Sequence, residues 1–203
     1  MQIDLKKNIQ IINYFAIKEG GKIDYVKVLK LIYFSDKYML CRHGRMITDD
    51  RYAAIKKGPI PSATKDVAEG VVKDFTGDDD FPVSEDYCNK YIGHVDVWNI
   101  ESRNAFDDNM FSDAEIEAME SVYGKFGKED KWKLCNTTHE FYEWKRHGID
   151  GEIRTYAPMD IIDFFSKSEK VELDRFFNPN EEDVEFKKDF FIKTNEAQCF
   201  CNN

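Results

Sequence analysis

The sequence predicts an α+β fold: a predominantly helical single domain over residues 1–166, with a small antiparallel β-sheet, and a C-terminal appendage over 167–203. Three observations predict it. Apolar residues recur at helical spacing between capping and stopping signals. A proline-bearing stretch from Arg51 to Pro61 breaks that pattern, and short apolar runs near Tyr91 and Val97 suit strands. After about Lys167 the apolar spacing fits neither a single helix face nor clean alternation, so no structure is assigned there.

The first helix is expected from Asp4 to Glu19, with Ile9, Ile12 and Ala16 on one face and Gly20-Gly21 as the stop. The second starts at Asp24 and ends near His43, with Gly44 just past its end. Its stripe (Val28, Leu31, Ile32, Ser35, Met39, widened by Leu29 and Tyr33) is broad enough to predict burial on more than one side. Residues Arg51 to Ile55 read as a strand. Lys57-Gly58-Pro59-Ile60-Pro61 cannot be helical, because two prolines remove donors and push their predecessors to extended geometry. Ser62 is expected to cap a third helix that ends in Gly77-Asp78-Asp79-Asp80. Tyr91–Val95 and Val97–Ile100 read as strands. Ser112-Asp113-Ala114-Glu115 is a capping box opening a helix that ends at Gly127. A short helix follows around Trp132 to Cys135, then an irregular aromatic stretch from His139 to Trp144. Pro158 is expected at the first position of a helix running from Met159 to Phe165. No internal repeat is found.

Composition narrows the function. A chain of 203 residues with 42% apolar and 33% charged residues can bury one substantial core. No apolar run approaches the ~20 residues of a membrane helix, and MQIDLKKNIQ has no apolar signal core, so a cytoplasmic location is expected. Five scattered cysteines read as reduced thiols, and Cys199-x-Cys201 has no matching pair at zinc spacing. No metal or cofactor is expected. The net charge of −10 argues against nucleic acid and, weakly, for a basic protein partner.

Two segments carry a resemblance. One runs from Lys30-Leu31-Ile32-Tyr33-Phe34-Ser35-Asp36 through Gly44-Arg45-Met46-Ile47-Thr48-Asp49-Asp50-Arg51-Tyr52 to Gly58-Pro59-Ile60-Pro61. The other runs from Phe111-Ser112-Asp113 through Trp132 and Leu134 to Thr138-His139 and Trp144. Over roughly residues 5–165 they resemble the SocA-like Panacea antitoxin family of phage-associated proteins. Met46 and Asp49 depart from the common pattern, which often has Pro and Gly there. Asp tolerates left-handed backbone, so the turn at Asp49 is expected to survive. The resemblance implies a protein that binds and neutralises a cognate protein toxin in a toxin-antitoxin system. One family member is an adaptor that delivers its toxin to a protease, so a protease chaperone is a further implied partner. The alternatives are a regulatory protein without its own toxin and an uncharacterised hydrolase.

The residues themselves suggest where contact is made. A buried Asp36 needs a partner, and Arg45 or Arg51 could clamp it. The Gly58–Pro61 segment is rigid, which lowers the entropy lost on binding, but it equally serves as a connector. Cys135 and His139 are one helical turn apart, yet no acid orients the histidine and no Gly-rich donor loop lies nearby, so no catalytic residue is expected. Tyr142 and Trp144 are either core anchors or interface aromatics. The candidate partner-binding residues are Arg45, Asp50, Arg51, Tyr52, Lys57, Pro59, His139 and Trp144.

Overall fold

A computed structural model describes residues 3–71, 84–149 and 155–201. Helices dominate, and two small antiparallel sheets stand where the sequence predicts one. Helix α1 (Leu5–Lys18) is capped by Asp4, whose carboxylate accepts from the Lys6 and Lys7 amides. Strand β1 (Lys22–Asp24) leads into α2 (Tyr25–His43), capped by Asp24 and closed by Gly44 at φ 67°. Fifteen of the nineteen α2 residues are buried, so this helix is the axis of the core.

Strands β2 (Tyr52–Ile55) and β3 (Gly58–Pro61) form a hairpin with Lys56 and Lys57 at its tip, and Ala53 pairs with Ile60. Helix α3 (Ser62–Ala68) follows. The expected cap does not form: Pro61 holds the N-cap position, and Asp50 accepts instead from the Ala63 and Thr64 amides. The expected stop at Gly77 to Asp80 lies outside the described residues. Helix α4 (Glu85–Tyr91) runs into β4 (Ile92–His94), and β5 (Asn99–Ser102) pairs with both β4 and β1.

After a 3-10 turn (Asp108–Met110), the capping box of Ser112 and Glu115 opens α5 (Asp113–Phe126). Helices α6 (Lys131–Thr138) and α7 (Tyr142–Lys145) follow, the latter inside the stretch read as irregular. Pro158 ends strand β6 (Tyr156–Pro158) on the free side of β2, rather than starting a helix. The helical turn after it is a 3-10 segment (Ile161–Phe165) capped by Asp160.

The C-terminal extension forms α8 (Val171–Phe177) and α9 (Glu181–Cys201). It packs on α2. Phe177 is fully buried against Phe34, Phe126 and Phe141. Phe191 is buried against Phe165, whereas Phe186 and Phe190 are exposed. Gly44 admits the close approach of α9, because a Cβ there would meet the Lys187 carbonyl at 2.9 Å.

Candidate functional site

Helix α2 carries three buried charges, and their surroundings differ. Asp36 Oδ1 accepts from the Ile47 amide (2.8 Å) and the Thr48 amide (3.1 Å), and Oδ2 from the Tyr52 hydroxyl (2.8 Å) and the Thr48 hydroxyl. Among the described residues no arginine clamps it: backbone amides and hydroxyls hold this carboxylate. Burial still raises its pKa to about 6, against the pull of those donors. The loop it grips reaches Asp49, which takes φ 50°, as expected for a residue tolerant of left-handed backbone.

Lys37 and Glu143 form a fully buried ion pair at 2.7 Å. The Lys37 ammonium also donates to the Phe164 carbonyl (2.6 Å), and the Tyr33 hydroxyl donates to Glu143 (2.6 Å). Its partners lie on α7 and on the segment before α8, so this pair ties the late chain to α2.

Lys30 is equally buried but has a single hydrogen bond among the described residues, to the Pro59 carbonyl (2.7 Å). Burial pushes its pKa down to about 7; Cys135 opposes the shift and the charge of Lys57 adds to it. Lys30 lies on a cleft of about 350 Å³ between the first turns of α2 and the β2–β3 hairpin, floored by Val26, Leu29, Ile55 and Ile60. Gly58 makes this junction possible. It sits at φ 98°, and a Cβ would strike the Thr138 hydroxyl and come within 3.1 Å of the Lys30 ammonium.

An aromatic and cationic rim stands beside the cleft. Trp98 and Trp132 are 49% and 55% exposed. The Lys57 ammonium lies 5.8 Å and 5.6 Å from their ring centres, and that of Lys131 5.5 Å and 5.4 Å. Tyr25 stacks on Trp98 at 5.8 Å. Lys131 is committed to Asp24 at 2.6 Å, while Lys56 and Lys57 form no ion pair among the described residues. Both sit at the hairpin tip, Lys56 exposed and Lys57 half-buried.

The sequence-derived candidates fall into groups. Asp50 and Tyr52 are buried, the first capping α3 and the second bonded to Asp36. Pro59 is buried, and its carbonyl serves Lys30. Arg45 is half exposed and joins the α5 capping box through Ser112 (2.8 Å) and Glu115 (3.3 Å). Arg51 is exposed. Trp144 is half-buried and donates to the Ile55 carbonyl (2.9 Å), so it props the hairpin that carries Lys57. His139 stacks on Trp144 at 3.8 Å.

Cys135 and His139 do not form a dyad. The His139 amide donates to the Cys135 carbonyl (3.2 Å), but no side-chain hydrogen bond joins them among the described residues; burial raises the Cys135 thiol, and burial, then Lys30, lowers the His139 imidazole. Both are held in their neutral forms, the opposite of an activated thiolate and imidazolium. No group of three or more His, Cys, Asp or Glu suits a metal ion among the described residues. No helix there is long and apolar enough to cross a membrane.

Sequence reasoning missed Trp98, Trp132 and Lys30 as site residues. Trp132 had a readable signal: Leu134, Cys135 and Thr138 form the buried face of α6, which turns Trp132 outward between two lysines. The position of Trp98 depends on β1–β5 pairing, which one sequence does not display.

Residues 28–145 match the family model described as antitoxin SocA-like, Panacea domain. The match spans more than half the chain and contains the hairpin, Trp98, α6 and Trp144. No curated protein and no solved structure matches the chain.

Proposed function

The chain belongs to the SocA-like antitoxin family with a Panacea domain, and from this we propose that it binds and neutralises a cognate protein toxin in the cytoplasm. The family match carries the reading. Exposed tryptophans beside uncommitted lysines support it, because Trp is enriched where interfaces concentrate their binding energy. Of the sequence-derived candidates, Lys57 meets the partner directly in this proposal. Pro59, His139 and Trp144 hold the hairpin that presents it, and Arg45 and Arg51 extend the contact along the 45–51 loop. Asp50 and Tyr52 act by fixing that loop. The role requires binding and no chemistry of this chain's own.

Co-expression with the product of the adjacent gene tests the proposal. The two proteins should co-purify, and growth arrested by the neighbour should resume. A harmless neighbour that does not bind would overturn it.

One observation favours a second reading, delivery of the toxin to a protease chaperone. Phe186 and Phe190 are exposed on α9 where it crosses Gly44, at the far end of α2 from Tyr25. Nineteen helical residues separate the two surfaces by about 28 Å, enough for separate partners. Substituting both phenylalanines with Ala should abolish chaperone pull-down while leaving toxin binding intact.

A further inference from the structure

We propose that the cleft between α2 and the β2–β3 hairpin, with its Trp98–Trp132 rim, docks an acidic–aliphatic peptide segment of the partner protein. The segment's carboxylates face Lys56, Lys57 and Lys30, and its aliphatic side chains lie on Val26, Leu29 and Ile60. This rests on the reading that the chain acts by binding a protein.

Charge complementarity selects this occupant. The chain as a whole carries −10, so a cationic rim is a local reversal of sign, one that attracts carboxylates and repels basic segments. Lys65 and Lys131 are already neutralised by Glu69 (2.5 Å) and Asp24 (2.6 Å). That leaves the hairpin tip as the place where an incoming anion meets unpaired ammonium groups. The buried Lys30 points the same way. An ammonium can donate three hydrogen bonds, and this one makes a single bond. A carboxylate at the inner end of the cleft would supply the missing acceptor. The apolar floor then selects a segment that alternates acid with aliphatic residue over a segment of acids alone. An extended peptide places such side chains on opposite faces, one toward the floor and one toward the rim.

Single-stranded nucleic acid is the competing occupant, since tryptophans and lysines also stack and neutralise nucleotides. The apolar floor and the acidic remainder of the chain oppose it.

The test uses the full chain and three fluorescent probes: an acetylated Asp-Leu octapeptide, its Lys-Leu counterpart and an eight-nucleotide oligothymidylate. Fluorescence anisotropy should show saturable binding of the acidic peptide alone. Lys57→Glu and Trp132→Ala should each weaken it at least tenfold, with circular dichroism and melting unchanged. Lys30→Met should also weaken it and remove its pH dependence near neutrality. Equal binding of the basic peptide, tighter binding of the oligonucleotide, no binding, or indifference to Lys57→Glu and Trp132→Ala would each overturn the proposal. Growth rescue by the same variants separates it from the antitoxin reading. If the wild type and both variants neutralise the neighbouring toxin equally, the docking site is wrong and the antitoxin role stands. If the wild type binds the acidic peptide but no neighbouring gene product, the antitoxin role fails while the docking site survives.

Discussion

Asp36 and Lys30 lie six residues apart on one helix, both fully buried and both charged groups by nature, yet they are treated in opposite ways. Asp36 is met by four donors, whereas Lys30 has one acceptor and an adjoining cleft. A buried charge with all its partners inside the chain belongs to the scaffold. One left short of partners beside an opening is poised for something the chain does not contain. Under the proposed function, the difference separates the part of α2 that builds the domain from the part that would address a partner.

The largest effect is expected from Asp36→Ala, which strands two buried amides and two hydroxyls. It should lower stability by about 4 kcal/mol in urea unfolding. A loss under 1 kcal/mol would show that the 47–52 loop does not depend on this carboxylate. Gly58→Ala forces a Cβ into Thr138 at positive φ, and should cost about 2–3 kcal/mol by the same measurement. Lys30→Met should leave stability unchanged or raise it by about 1–2 kcal/mol, because replacing a poorly paired buried charge with an apolar chain removes a desolvation penalty. The smallest effect on folding is expected for Trp132→Ala, within about 0.5 kcal/mol, since the side chain is half exposed. A large loss there would mean that Trp132 is a structural prop.

Acidity sharpens the same contrast. Unfolded, Lys30 holds its proton to about 10.5; folded, it releases it near 7. Between those values the unfolded chain binds more protons, so stability should rise with pH from about 7 to 10, and Lys30→Met should flatten that rise. Asp36 acts at the other end. Its folded pKa is raised to about 6, so between pH 4 and 6 the folded state binds more protons and its contribution falls as pH rises. Urea midpoints across pH would detect both slopes, and a Lys30→Met slope equal to the wild type would remove Lys30 from the account.

The helices were legible where local chemistry decides them. The Asp24 cap, the Gly44 stop and the Ser112–Glu115 box need only near neighbours in sequence, and all three form. The partners of Asp36 were not legible, because every backbone amide in the chain looks alike until the 46–52 loop is placed. The cap of α3 was misread for the same reason: Asp50 acts from twelve residues before the helix starts. The extension resisted reading because its phenylalanines belong to two helices separated at Asn178–Asn180, so no single period covers them. The cleft joins the first turns of α2 to the hairpin, and its rim adds Trp98, just before β5, and Trp132 of α6; these regions lie far apart in sequence, and only their packing brings them together.

The Lys37–Glu143 pair and the Lys37 bond to Phe164 have a consequence for synthesis on the ribosome. Lys37 emerges early, but its carbonyl partner follows 127 residues later. At about 5–20 residues per second, that is a wait of about 6–25 seconds. Over that interval the helix that forms the axis of the core leaves Lys37 to water and lacks the cover of Phe164 and Phe177. The buried face of the second helix is therefore completed only once the last third of the chain has been made.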